Sequence, residues 1–169
     1  MVVVRPERPG DQAAVRSVHE FAFARRHEAN LVDMLRQRAQ PSISLVAEKD
    51  GRVVGHIFFS PVQIETAGGL VPALGLAPMG VLPWYQRQGL GSELVRRGLE
   101  VCVQGGHPVV VVLGHPAFYP RFGFVPAATK GLHCEYAVPD EDFMVAELVP
   151  GALRGVTGLV KYLPEFAAV

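Results

Sequence analysis

The chain has 169 residues, 49% of them apolar and 19% charged, a balance that suits one globular domain and excludes a disordered segment. Sixteen Lys and Arg offset sixteen Asp and Glu, so no overall charge draws the protein to nucleic acid or to an anionic membrane. Cys102 and Cys134 are too few for a disulfide scaffold, and the six histidines show no zinc-ligand spacing, so no metal is expected.

In chain order, residues 2–5 predict a first strand, and Asp11, after Pro9 and Gly10, is a helix cap. Val15, Val18 and Ala22 fall on one helical face, and Leu31, Met34 and Leu35 on that of a second helix, with Arg25, Arg26 and His27 between the two. Residues 44–49 and 52–60 predict a hairpin about Asp50-Gly51. Pro61 is expected to bend or end the pairing, with residues 62–65 continuing after it. Gly68-Gly69 marks a turn before residues 70–82, an apolar strand in which Gly75, Pro78 and Gly80 predict a bulge or splay.

Residues 92–104 predict the clearest helix, with Leu90, Leu94, Leu99 and Cys102 on one side and Glu93 and Arg97 spaced for an ion pair. Gly105-Gly106 ends it, and the five aliphatic residues from Val109 to Leu113 predict a strand buried on both faces. Strand, helix and strand in about forty residues make a right-handed βαβ unit with a parallel pair. A turn or short helix is expected over residues 114–120, strands over 122–125 and 141–148, and extended packing over 150–164. The uncharged runs 66–86 and 101–120 are broken by Gly and Pro, so neither reads as a membrane span. The N-terminus lacks a basic start followed by a long apolar segment, which predicts a cytoplasmic protein.

The chain's chemistry is expected around residues 82–102. Gln86, Arg87, Gln88, Gly89, Leu90 and Gly91 join the apolar strand to the helix. Gly89 and Gly91 let the backbone approach a ligand, and the helix start aims unpaired amides and positive potential at the same place. Such a turn suits a phosphate or pyrophosphate, with Arg87 adding charge. Two glycines alone also occur as plain packing between a strand and a helix. It is not a dinucleotide fingerprint, since position 94 is Leu, nor a P-loop, since no Gly-Lys-Ser/Thr follows.

Gln86-x-x-Gly89-x-Gly91 resembles the Q/R-x-x-G-x-G/A acyl-CoA signature of the GNAT (Gcn5-related) N-acetyltransferase superfamily. About thirty residues on, Phe118-Tyr119-Pro120-Arg121-Phe122-Gly123-Phe124 resembles the family's Y-x-x-x-G-F element. The predicted order β-α-α-β-β-β-α-β-α-β-β resembles the GNAT fold over nearly the whole chain. The phrases Val54-Gly55-His56-Ile57 and Leu113-Gly114-His115-Pro116 are nearest to its bacterial YhbS-like branch. The resemblance implies an α/β (α+β) fold in one domain over residues 1–169, with a central mixed sheet splayed between strands 4 and 5 and helices on both faces.

It also implies direct acetyl transfer from acetyl-CoA to a primary amine of a small molecule, protein or peptide, in a ternary complex without a metal. The backbone of Met79, Gly80 and Val81 would hold the pantetheine arm, and Gln86, Arg87, Gln88, Gly89, Leu90, Gly91 and Ser92 the pyrophosphate. Tyr119 would be the general acid, because a phenol is protonated at neutral pH and can donate to the departing thiolate. The base stays open among Glu28, His56 and His115, directly or through water, with His115 favoured for its closeness to Tyr119. Residues 74–81 lack the carboxylate many relatives carry, and Val112 stands where the family commonly has Asn. Cys134 offers an acyl-enzyme route, against a small apolar role.

Two other functions stay in view. One is a CoA-binding sensor or interaction protein that has lost turnover. The other, a Rossmann-like nucleotide or S-adenosylmethionine binder, needs a Gly-rich loop after the first strand, where only Gly10 stands. A homodimer is left open.

Overall fold

Pairing begins at the first strand. In the computed structural model, which describes residues 1–168, β1 (Val2–Pro6) runs antiparallel to β2 (Ile43–Lys49), with α1 (Gln12–Phe23) and α2 (His27–Arg38) between them in sequence. The long strands β3 (Arg52–Thr66) and β4 (Gly69–Val81) follow, then α3 (Leu90–Gln104) and β5 (Val109–Leu113). Four short strands complete the order: β6 (Val125–Pro126), β7 (Leu132–Cys134), β8 (Phe143–Glu147) and β9 (Gly158–Lys161). The chain divides into two compact units, and β3 and β4 each run from one into the other.

The first unit takes Met1–Ser60, Ala77–Val101 and the segment from Pro164. The β2–β3 hairpin closes through Asp50 at φ 51° and Gly51 at φ 78°, the two positive angles its tight turn needs. Side chains alternate along β3. Gly55, Ile57 and Phe59 face α3, which approaches so closely that a Cβ on Gly98 would lie 2.6 Å from the Phe59 ring. His56 and Phe58 face the other way, where the His56 ring meets His19 of α1 edge-on at 5.0 Å. Helices thus cover both faces of this sheet. The α3 face is filled by Leu90, Leu94, Val95 and Leu99, all buried, at roughly 1.5–3 kcal/mol per large apolar side chain.

The second unit takes Pro61–Leu76 and Cys102–Leu163. Within it, Leu74, Gly75 and Leu76 of β4 pair parallel with Val110, Val111 and Val112 of β5. β5 pairs antiparallel with β8, and β8 with β6. On the β3 side, Gln63–Glu65 pair antiparallel with β9, which pairs parallel with β7. The core is apolar: Val62, Ile64, Val109, Val111, Leu132, Phe143, Val145 and Val160 are buried together. The sheet is mixed, as expected, and the β4–β5 ladder stops at Leu76, five residues before β4 ends.

At Pro61 the pairing changes as expected: β2 pairs with β3 only as far as Phe59, and β9 takes over at Gln63–Glu65, while the extended chain continues to Thr66. Several local expectations need correction. Residues 158–161 form β9 rather than loose packing, since β3 offers them a free edge at Gln63–Glu65. The strand expected over residues 122–125 shrinks to Val125–Pro126, and Tyr119–Phe122 forms a 3-10 turn. Met34 is 38% exposed; α2 buries Glu28, Ala29, Leu31, Val32 and Leu35 instead. Arg97 pairs with Glu100 at 2.7 Å, one turn on the opposite side from Glu93.

Candidate active site

The turn after β4 is tightly shaped. A 3-10 turn over Pro83–Tyr85 leads into Gln86, whose side-chain Nε2 donates to the Val81 carbonyl at 2.9 Å. Arg87 at φ 62° and Gly89 at φ 84° are both left-handed. Gly89 takes that conformation without penalty; Arg87 takes it at a cost of roughly 1–2 kcal/mol. α3 starts at Leu90, and Glu93 N–H bonds back to the Gly89 carbonyl at 3.0 Å. The amides of Leu90, Gly91 and Ser92 precede that bond, so the helix leaves them for an outside acceptor. Gln86, Arg87, Gln88 and Gly89 are exposed, Met79, Gly91 and Ser92 half-buried, and Gly80, Val81 and Leu90 buried. Lys49 of β2 adds a cation that the sequence did not reveal: its Nζ donates to Gln88 Oε1 at 2.8 Å and lies 5.5 Å from the Tyr85 ring centre.

Beneath α1 and α2 the same unit holds a buried polar chain. His19 Nε2 is 2.7 Å from His56 Nδ1, and His56 Nε2 is 2.8 Å from Ser44 Oγ. Ser44 Oγ donates to Glu7 Oε1 at 2.7 Å, and Arg36 donates to Glu7 Oε2 at 2.6 Å. Donor and acceptor roles then follow in order. The Glu7 carboxylate only accepts, so Ser44 spends its one proton there and accepts from His56 Nε2–H. His56 Nδ1 is therefore bare and accepts from His19 Nε2–H. That leaves His19 Nδ1 as a lone pair. It is buried and has no hydrogen-bond partner among the described residues. A Cβ on Gly80 would sit 3.0 Å from Nδ1 and 3.3 Å from Ala22 Cβ, so only glycine lets the ring lie this close to β4. Burial pulls His19 down to about 4, with Glu28 opposing the shift and Arg36 adding to it. Burial also holds His56 well below the usual imidazole range, helped by His19 and Arg36.

This geometry bears on the three candidate bases. Both carboxylate oxygens of Glu28 are held by Arg25, through Nε at 3.0 Å and through Nη2. Both nitrogens of His56 are engaged. His115, in the second unit, has an exposed ring, and its carbonyl accepts from the Phe118 and Tyr119 amides at 3.1 and 3.4 Å. His19 was missed, because a histidine at an i+4 step from Val15 reads as part of an amphipathic face.

Tyr119 is buried, with Phe118 and Phe124 edge-on at 5.0 and 5.6 Å. Gly114 gives it room: a Cβ there would come within 3.0 Å of Tyr119 Cδ2 and collide with Cε2. Burial pushes the phenol up to about 12, so it stays protonated. Cys134 accepts from Tyr136 N–H at 3.4 Å, and burial raises its thiol, which leaves no thiolate nucleophile. Among the described residues no His, Cys, Asp and Glu side chains are grouped to hold a metal ion. No helix among them is long and apolar enough to cross a membrane.

A sequence model described as the acetyltransferase (GNAT) domain matches residues 3–127. The chain belongs to the GNAT acetyltransferase family. It is 39% identical over 166 residues to YhbS of Escherichia coli K12, called an uncharacterised N-acetyltransferase, covering 98% of both chains. The E. coli YhbS crystal structure in complex with CoA superposes with a TM-score of 0.91 at 38% identity, over 98% of this chain and 92% of that one. A GNAT acetyltransferase of Brucella melitensis in complex with acetyl-CoA gives a TM-score of 0.80 at 36% identity, over 98% of each chain. These matches bear out the expected GNAT fold and the expected enzyme class, an N-acetyltransferase.

Proposed function

We propose that this GNAT chain, acting as one domain, transfers the acetyl group of acetyl-CoA directly to a primary amine of a small molecule or a protein. The observation that carries the reading is the turn between β4 and α3. Left-handed Arg87 and Gly89 deliver the chain to a helix start whose amides lack internal partners, with Lys49 held at its edge. That is a site for an anion such as the CoA pyrophosphate. Two similar proteins with solved CoA and acetyl-CoA complexes support the same cosubstrate. Met79, Gly80 and Val81 present the backbone for the pantetheine arm. Tyr119 serves as general acid toward the CoA thiolate, since burial keeps it protonated. A cytoplasmic location and a homodimer complete the reading; sedimentation tests the latter.

The test is a screen of primary amines coupled to free-thiol release from acetyl-CoA, beside thermal shifts with CoA, NAD and S-adenosylmethionine. CoA at a hundred times its dissociation constant should stabilise the fold by about 2.7 kcal/mol, and at least one amine should release thiol. Gly91→Val should weaken CoA binding while keeping the melting temperature. A shift with NAD or S-adenosylmethionine and none with CoA overturns the reading. CoA binding with no turnover across the screen would favour a sensor.

A further inference from the structure

The tip of the β2–β3 hairpin carries charges that the fold does not neutralise. Lys49 and Arg52 flank the Asp50-Gly51 turn and pair directly across it. Directly opposed residues share a face of the sheet, and two like charges in that position repel. A β-bulge creates the opposition. Ala47 pairs with Gly55 but Glu48 pairs with Val53, so β3 carries one extra residue there, Val54. Plain alternation from Gly55 would turn Arg52 toward the α1 face; the extra residue turns it to the face of Lys49. That face lies against α3, since Leu94 Cδ1 and Ala47 Cβ would stand 3.0 and 3.4 Å from a Cβ on Gly55. The Val54 carbonyl also accepts from the Leu82 N–H at 2.9 Å, which ties the bulge to the entry of the β4–α3 turn.

The nearby acids are engaged elsewhere. Glu48 accepts from Arg5 at 2.8 Å, and Asp50 lies 3.7 Å from the N-terminal amine. Lys49 reaches instead to a neutral oxygen, Gln88 Oε1, at 2.8 Å, within the turn itself. Arg52 is exposed and makes no hydrogen bond or ion pair among the described residues. Two opposed cations beside an anion site, with no carboxylate between them, make a place for a second anion. We propose that Lys49 and Arg52 bind the 3′-phosphate of CoA and so select CoA over cofactors that lack it. The proposal rests on the acetyltransferase reading above. CoA carries two anionic groups of different kinds. Its pyrophosphate lies within the molecule and suits the backbone amides that the start of α3 supplies. Its 3′-phosphate is a terminal monoester with a charge of roughly −1.5 to −2 at neutral pH and three open oxygens. Full side-chain charges suit that group. The Arg52 guanidinium can meet two of its oxygens at once, with Lys49 as a point charge beside it. Lys49 gives up only a neutral amide oxygen to do so. An anion between the two cations turns their repulsion into a shared attraction, and this gives the bulge that opposes them a purpose.

Calorimetric titration of the intact protein with CoA and with 3′-dephospho-CoA tests this. The wild type should bind CoA about tenfold or more tightly than 3′-dephospho-CoA, and the gap should narrow as salt rises. Arg52→Gln and Lys49→Gln should each weaken CoA binding about fivefold and leave 3′-dephospho-CoA within about twofold of wild type. The double variant should bind the two cofactors alike. The ligand-free protein gives a second readout. Arg52→Gln relieves the opposed charges, so its melting temperature should hold or rise, where a residue kept for the fold would lower it. A fall in melting temperature with an unchanged preference for CoA makes the pair structural and overturns the proposal. If the wild type binds both cofactors equally, the proposal falls while the acetyltransferase reading stands. The same holds if the variants weaken both cofactors equally, which would give Lys49 and Arg52 to the pyrophosphate. If the wild type binds neither cofactor, the acetyltransferase reading falls as well.

Discussion

His19 and Tyr119 meet the same physical force with opposite results. Each is buried, and burial disfavours the charged form of each. For the imidazole this means a bare nitrogen at neutral pH, held down to about 4; for the phenol it means a retained proton, pushed up to about 12. One becomes an acceptor and the other a donor, chiefly through loss of solvent. Their surroundings differ. His19 ends a line of hydrogen bonds running to a carboxylate, whereas Tyr119 stands among the rings of Phe118 and Phe124. Desolvation is the whole cause for Tyr119 and the leading one for His19, where Glu28 opposes it and Arg36 adds to it.

The comparison breaks most visibly at Tyr119. Tyr119→Phe keeps the ring and removes only the proton. The chemical step should slow by about 10²–10⁴-fold with CoA affinity unchanged, as single-turnover rapid quench can measure. A wild-type chemical step in that variant would remove Tyr119 from the mechanism.

The next largest effects concern pH, where the two residues should fail at opposite ends. His19 is protonated more readily unfolded than folded, so its share of stability is present above about pH 6.5 and lost as pH falls toward 4. The loss is about 1.4 kcal/mol per pH unit. Tyr119 holds its proton more firmly when folded, so its share is present below about pH 10 and lost as pH rises toward 12, at a similar slope. Urea unfolding across pH measures both. The acid slope should ease in His19→Asn and the alkaline slope in Tyr119→Phe; crossed or absent changes would place the titrations elsewhere.

Gly114→Ala probes the seat of Tyr119. Its Cβ meets the ring at 3.0 Å from Cδ2 and closer still at Cε2, so overpacking should cost about 1–3 kcal/mol in calorimetry. An unchanged melting temperature would mean that the ring has another place to go.

The smallest expected effect is at Ser60, whose buried Oγ, like His19 Nδ1, has no partner among the described residues. Ser60→Ala should stabilise the fold by about 1 kcal/mol without changing turnover. Lost turnover there would mean that an unpartnered buried atom in this unit is not by itself a guide to function.

The turn and the motif around Tyr119 were legible because their information is local. Gly89 declares its turn within a few residues, whereas the Gln86 bond back to Val81 appears only in the structure. Tyr119 sits beside the Gly123 that ends its 3-10 turn at φ 94°. The change of pairing at Pro61 was legible too, because a proline lacks the ladder donor: β2 stops at Phe59 and β9 begins at Gln63. β9 was invisible because residues 158–161 are short and gain order only from β3 and β7.

The sequence by itself determined the family, the order of the main elements and the phosphate-type turn, since each rests on periodicity, glycine geometry or motif spacing within about forty residues. Only the tertiary structure decided the fate of the polar side chains. Glu7, His19, Ser44 and His56 lie on four separate segments and form one line only when α1 packs on the sheet of β2 and β3. His56 had been weighed as a base and proves fully engaged, while His19, unremarkable in its helix, keeps the open nitrogen. The reason is physical: a hydrogen bond fixes its donor and acceptor only when both ends are in place, and those ends are up to 37 residues apart.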